Sequence, residues 1–102
     1  MHAPGTALVD AMPAVTLAAI AAEVLKTQLP QPDHLSLHPG PSASVSFQFS
    51  EYMGAERFGY VHEWADSYGV PVVQMGRFHE AYFTHLGVKF TVFAPEKKED
   101  GQ

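Results

Sequence analysis

Histidine is the residue type here that most readily suggests a metal or proton-transfer site, since the chain contains six. His62 and Asp66 are four residues apart on a predicted helix, so their side chains can touch. His79 and His85 share a face of a predicted strand, but about 20 Å of extended chain separates them, too far for one metal ion. H-E-A-Y-F-T-H is not an H-E-x-x-H zinc motif, because position 83 is phenylalanine. We predict no metal site and keep a histidine-based metal or small-ligand binder as an alternative.

Carboxylates recur on the second predicted helix at a spacing that acid–base catalysis can use. Glu56 and Glu63 are two helical turns apart, and Asp66 follows one turn later. The same spacing is typical of a solvated helix face. This face is net acidic, with Arg57 and His62 as its basic residues, and it can contact a basic partner.

The sequence contains no motif for nucleophilic catalysis or phosphate binding. It contains no G-x-S-x-G elbow, no P-loop and no G-x-G-x-x-G loop. There is no cysteine, which excludes disulfides, thiolate metal sites and thiol catalysis. We therefore predict no catalytic residues, no cofactor and a protein that is not an enzyme.

Charge and hydropathy limit the class of partner. The net charge is −5 with six Lys and Arg residues in all, which disfavours phosphate neutralisation and hence nucleic acid. The longest apolar run, Ala14 to Leu25, is shorter than the roughly 20 residues that span a bilayer. We expect a soluble cytoplasmic protein that does not enter a membrane and that binds a protein partner or itself, as a homodimer.

The clearest structural signal is a hairpin between Phe78 and Ala94. Leu86-Gly87 is the predicted turn, which places Phe83 opposite Phe90 and gives the hairpin one apolar face. The opposite face is mixed. The alternation therefore predicts a sheet with one buried side and one open side.

The remaining elements follow from periodicity and from turn residues. We predict a helix over 13–28, strands over 34–38 and 43–49, a helix capped by Ser50 and ending near Tyr68, and a strand over 70–75 that is central or covered. The first helix has a second apolar stripe of small residues, which suits either an alanine-rich helix or a subunit contact. The stripe comprises Val15, Ala18, Ala22 and Leu25.

The element order predicts a single α+β domain, α-β-β-α-β-β-β, with two helices packed on one face of a four- to five-stranded, mainly antiparallel sheet. The domain is expected over 13–94. A flexible N-terminus, 1–12, precedes it, and a disordered tail, 95–102, follows it.

The open sheet face is the predicted contact surface. It carries two aromatic side chains among small polar ones, which suits protein–protein contacts or self-association. A solvated face of strand-forming residues has the same composition. An alternative is a nucleic-acid-binding accessory protein that uses Tyr82, Phe93, Lys89 and Arg77, although the RNP1 pattern of base-stacking sheets is absent. The predicted partner-binding residues are Ser46, Gln48, Tyr82, Thr84, Lys89, Thr91 and Phe93.

Three segments carry a resemblance: L-P-Q-P-D-H-L-S-L at 29–37, W-A-D-S-Y-G-V at 64–70 and L-G-V-K-F-T-V-F-A at 86–94. Together with the alanine-rich first helix, they resemble small uncharacterised α+β proteins of actinomycetes and of their phages or mobile elements. The resemblance covers most of the chain. It implies no activity, ligand or catalytic residue.

Overall fold

The computed structural model describes residues 12–97, which form two α-helices and five β-strands. A 3-10 turn, Glu51–Met53, precedes the second helix. The predicted order α-β-β-α-β-β-β is confirmed. In chain order the elements are α1 (Ala14–Leu25), β1 (His34–His38), β2 (Ser44–Gln48), α2 (Glu56–Ser67), β3 (Val73–Met75), β4 (Phe78–His85) and β5 (Val88–Pro95).

The five strands form one sheet in the order β1-β2-β5-β4-β3. Neighbouring strands are antiparallel except for β2 and β5, which run parallel because the chain crosses the sheet through α2 between them. Helix α1 packs against β1 and β2, and α2 packs against β4 and β5. Both helices therefore cover the same face, and the predicted two-layer α+β class is confirmed.

The hairpin of β4 and β5 has the predicted turn and register. Leu86 and Gly87 have φ angles of 52° and 78°, the left-handed pair that a tight two-residue turn requires. Phe83 lies opposite Phe90, as the alternation predicted. This register turns the aromatic side chains of the inner face toward the helices.

The core lies between the helices and the inner face of the sheet. Trp64 of α2 is fully buried at its centre, where its ring meets that of Phe47 edge-on at 5.3 Å. Its indole nitrogen donates a hydrogen bond of 2.7 Å to the carbonyl oxygen of Pro30. Tyr68 stacks on Phe83, whose ring also stacks on Phe90. Trp64 is the largest of the fully buried side chains.

Two elements differ from prediction. The strand expected over 70–75 is shorter and lies at the sheet edge, with Val73 half-buried and Met75 exposed. The apolar run over 70–75 has the composition of a covered strand. Composition does not reveal which strand it pairs with, so its position at the edge of the sheet could not be predicted. The helix expected directly after Ser50 begins at Glu56 instead. Gly54 has a φ of 80°, which interrupts the helical path between the 3-10 turn and α2.

The ends of the domain are shifted from the predicted boundaries. Helix α1 stops at Leu25, ahead of the predicted Gln28. Strand β5 continues to Pro95, and the backbone N–H of Glu96 donates to the carbonyl of Arg77 at 2.7 Å. These contacts exclude the first residues of the segment 95–102 from a disordered tail. The rest of that segment, and the predicted flexible residues before Met12, lie outside the described residues.

Candidate functional site

The face of the sheet turned away from the helices is open, and the strand register identifies its residues. Residues that lie directly opposite each other on paired strands point to the same side. All seven predicted contact residues share this face, which we call the open face. On β2 it carries Ser46 and Gln48, on β4 Tyr82 and Thr84, and on β5 Lys89, Thr91 and Phe93.

One end of the open face is apolar. Met75, Phe78 and Tyr82 are exposed by 55%, 40% and 47% respectively. The Phe78 ring meets that of Phe93 edge-on at a centroid distance of 5.7 Å, so the rings form a fixed surface. Val73 lies on the same side, because it pairs with Glu80 across β3 and β4. We call this set the aromatic end, defined as Val73, Met75, Phe78, Tyr82 and Phe93.

The remainder of the open face is polar. A shallow depression of about 450 Å³ lies beside the hairpin, and Thr84, Lys89 and Thr91 contribute to its lining. Toward β1 the exposed groups are hydroxyls, an amide and imidazoles. This part of the face can donate and accept hydrogen bonds, but it offers little apolar area to a partner.

Sequence reasoning missed three members of the aromatic end: Val73, Met75 and Phe78. Extending the β4 alternation back from Glu80 by two residues would have placed Phe78 on the open face. Val73 and Met75 needed the pairing of β3 with β4 around Gly76, which the sequence marks as a turn without fixing its register. The missed residues extend a pair of aromatic side chains to a set of five apolar side chains around Glu80.

A carboxylate lies within the aromatic end, because Glu80 pairs with Val73 on one side and with Phe93 on the other. The Tyr82 hydroxyl donates a hydrogen bond to the carboxylate of Glu80 on the same strand. This hydrogen bond, with a smaller contribution from burial, raises the pKa of the Tyr82 phenol above its ordinary value. Tyr82 presents its ring on the open face, with its hydroxyl directed to Glu80.

A second depression lies where β2 and β5 end side by side. It is lined by Gln48, Ser50, Glu51, Tyr52 and Pro95, and Tyr52 is 96% exposed at its border. Gln48 pairs with Phe93, so this depression adjoins the aromatic end. Tyr52 thus adds an aromatic ring that a partner on the aromatic end can also reach.

Ser50 and Asp33 hold this region in place. The buried Ser50 hydroxyl donates to the Asp33 carboxylate and accepts the N–H of Tyr52 at 3.3 Å, which confirms Ser50 as an N-cap, here of the 3-10 turn. The Ser50 N–H also donates to Asp33, at 2.9 Å. Burial by itself would raise the pKa of Asp33, but the hydrogen bonds from Ser50 outweigh it and lower the pKa. A serine bonded to an ionised carboxylate in this way is a structural link.

The histidines are dispersed. His79 is half-buried and lies 2.9 Å from the carboxylate of Glu96, with its ring 4.5 Å from that of Phe58. His34 lies 3.7 Å from Asp33. Within residues 12–97, no group of three or more histidine, cysteine, aspartate and glutamate side chains is placed to hold a metal ion.

Arg57 departs from the predicted acidic helix face. Its guanidinium is buried and donates to the carbonyls of Pro95 and Gly54 at 2.8 Å and 2.7 Å. The same group lies 4.3 Å from the centre of the Phe58 ring. The arginine therefore ties the start of α2 to the end of β5 and is not available to a partner. The exposed face of α2 is more acidic than the sequence indicated.

In comparisons with known proteins, no protein-family model, no curated protein and no solved structure matches the chain. Across residues 12–97, no helix is long and apolar enough to cross a membrane.

Proposed function

We propose that this chain is a non-enzymatic binding module whose aromatic end binds an apolar segment of a partner protein. The observation that supports this most directly is the exposure of Met75, Phe78 and Tyr82 on one face of the sheet, around Glu80. Exposed apolar side chains scattered singly need no explanation, but a contiguous patch bordered by polar residues is typical of a protein-interaction site.

The composition of the aromatic end suits protein recognition. Interface centres are enriched in tyrosine, phenylalanine and methionine and depleted in charge. The Phe78 and Phe93 rings are already fixed against each other at 5.7 Å, so little side-chain entropy is lost when a partner covers them. Glu80 lies within the patch, opposite Val73 and Phe93, and Arg77 directly precedes β4; these charges contribute more to orientation than to affinity.

The way in which helices pack on the inner face of the sheet favours an amphipathic segment as the ligand of the open face. The inner face of the same sheet is covered by helices that contribute apolar stripes, among them Leu17, Ala21 and Val24 of α1. A partner helix or loop with a comparable apolar stripe can lie on the aromatic end by the same packing rule.

The nucleic-acid alternative has weaker support. Arg77 lies before β4, whereas Lys89 pairs with Thr84 near its other end, so about 20 Å of strand separates the two cations. The carboxylate of Glu80 lies between them on the same face and would repel phosphate. For the metal-binding alternative, no three ligands converge in residues 12–97.

The cellular location of the chain and its relation to other proteins remain predictions. We propose the cytoplasm as the compartment, because a chain without cysteine gains no stability from an oxidising one. The resemblance to actinomycete and phage proteins is likewise a proposal about origin and carries no function.

The test compares capture of a partner from a lysate of the source organism by matched variants. Phe78→Glu places a charge in the aromatic end, whereas the control Val15→Glu places the same charge on α1, at a side chain that is 77% exposed. We expect both variants to fold, and Phe78→Glu to lose the protein that wild type and the control retain. With the purified partner, the dissociation constant should rise about 30-fold or more, as at an interface hot spot.

Equal affinity of the partner for wild type and Phe78→Glu would refute the assignment of this surface. The unfolding transition of each variant, measured in urea, separates loss of the surface from loss of the fold.

A further inference from the structure

We propose that a second copy of this chain pairs with the free edge of β1, so that two sheets join into one across a two-fold axis. This inference does not rest on the proposed function, since β1 lies at the opposite edge of the sheet from β3. Three features of β1 support it: its edge, along which no strand of residues 12–97 pairs, its self-complementary sequence and its lack of ionised carboxylates and ammonium groups.

The described sheet ends in β1 on one side and in β3 on the other. Natural proteins protect free edges with short strands, proline or charged side chains. Strand β3 has such protection, because it is only three residues long. Strand β1 is five residues long and contains no proline, lysine, arginine or acidic residue. Its backbone is therefore the better template for an added strand.

The sequence of β1 reads the same in both directions, H-L-S-L-H, with Ser36 at its centre. When two such strands pair antiparallel about a two-fold axis through Ser36, serine faces serine, Leu35 faces Leu37 of the second copy, and His34 faces its His38. Every position thus meets a residue of the same kind, whichever set of backbone groups points outward.

Leu35 shows what pairing would bury. It lies on the helix side of the sheet, because it pairs with the buried Phe47, yet it is 47% exposed, and no second strand of the described part of the chain lies beside it. In the two-fold arrangement, Leu37 of the second copy lies beside it on the same face. Both copies would cover an apolar side chain that the single chain leaves at its edge.

Charge selects a second copy of the chain as the occupant. The net charge of −5 would oppose self-association through most surfaces. From residue 34 to residue 50, however, the chain has no Asp, Glu, Lys or Arg, so two β1 edges meet without like charges. The exposed residues of α1, the helix that packs on β1 and β2, include the small side chains of Ala18, Ala19 and Ala22.

The axis of this dimer is perpendicular to the sheet, as it must be when identical strands extend one sheet. Both open faces then point to the same side, and the dimer presents two aromatic ends in one direction. A partner with two apolar segments would bind such a dimer with greater avidity than a single module.

The absence of cysteine allows a clean cross-linking test. In the proposed dimer, Cys replacing Ser36 would lie about 5 Å from its copy. A cysteine at Ser46, the residue paired with Ser36 on the next strand, would lie about 14 Å from its copy, three strand spacings. We expect oxidation to yield a disulfide-linked dimer of full-length Ser36→Cys and little of Ser46→Cys. Equal cross-linking of the two variants, or none of Ser36→Cys, would overturn the proposal.

Charge exchange at the same position supplies the second test, by sedimentation equilibrium. Ser36→Asp and Ser36→Lys each place like charges opposite each other, so each dimer should dissociate about tenfold more readily than wild type. An equimolar mixture of the two variants should restore the dimer. A monomeric wild type, or a dimer that is indifferent to Ser36 but lost in Tyr82→Ala, would refute pairing through β1.

Discussion

Phe90 and Phe93 stand three residues apart on β5 and show how differently the two faces of one sheet are used. Phe90 points inward, is buried and stacks on Phe83 at 5.0 Å. Phe93 points outward and meets Phe78, itself exposed, on a face that neither described helix covers. The same residue type thus contributes to the core on one side and to a surface on the other.

The two faces differ in what completes them. The inner face is covered by α1 and α2, and its aromatic rings pack against residues of the same chain, as in the contact of Phe47 with Trp64. The aromatic end of the open face has rings of similar size and a fixed geometry, but no layer of the described chain above it. Such a face retains apolar area for another molecule to bury.

The largest expected effect compares the two phenylalanines directly. Phe90→Ala should lower the free energy of unfolding by about 3–5 kcal/mol, because it leaves a cavity between the sheet and α2. Phe93→Ala should lower it by about 1 kcal/mol, since that ring is only partly buried. Urea denaturation followed by circular dichroism measures both. Equal losses would mean that the two faces are not distinct in the way described.

A smaller loss of stability is expected at Ser50, just after the end of β2. Ser50→Ala removes the hydroxyl that donates a hydrogen bond to Asp33 and caps the 3-10 turn. It should lower the free energy of unfolding by about 2 kcal/mol at neutral pH. The pKa of Asp33 is lowered in the folded chain from its ordinary value of 3.8, so this carboxylate contributes stability above that value. That contribution is lost as the pH falls through the folded pKa.

The stability difference between wild type and Ser50→Ala should therefore narrow below about pH 4. In an Asp33→Asn background the same difference should stay flat with pH, because the amide does not titrate. A gap that widens on acidification would contradict the assigned direction of the Asp33 pKa.

Local signals in the sequence were sufficient for much of the fold. The turn at Leu86-Gly87 and the strict alternation around it predicted the hairpin register and thus both faces of β4 and β5. Strand β1 was predicted with its observed ends, because the prolines at 32 and 39 bound it. Where a periodic run is bounded by turn residues, sequence alone determines which side each residue occupies.

Features set by contacts distant in sequence were not predictable. The edge position of β3 depends on which strand it pairs with, and the aromatic end depends on that pairing in turn. Arg57 looked like a surface residue, but the carbonyl of Pro95, 38 positions away, holds it inside. The composition of the charged tail predicted that it lies in solvent. The contact of Glu96 with His79 instead joins the start of that tail to the sheet.

Hydroxyl-radical footprinting of the purified chain, alone and with its captured partner, tests the central claim most directly. Met75, Phe78 and Tyr82 should be oxidised readily in the free chain, while the intrinsically reactive but fully buried Trp64 is protected. Adding the partner should protect the first three and leave Val15 of α1 as reactive as before. Protection of Met75, Phe78 and Tyr82 in the chain alone, or their unchanged oxidation in the complex, would contradict an open aromatic end that binds protein.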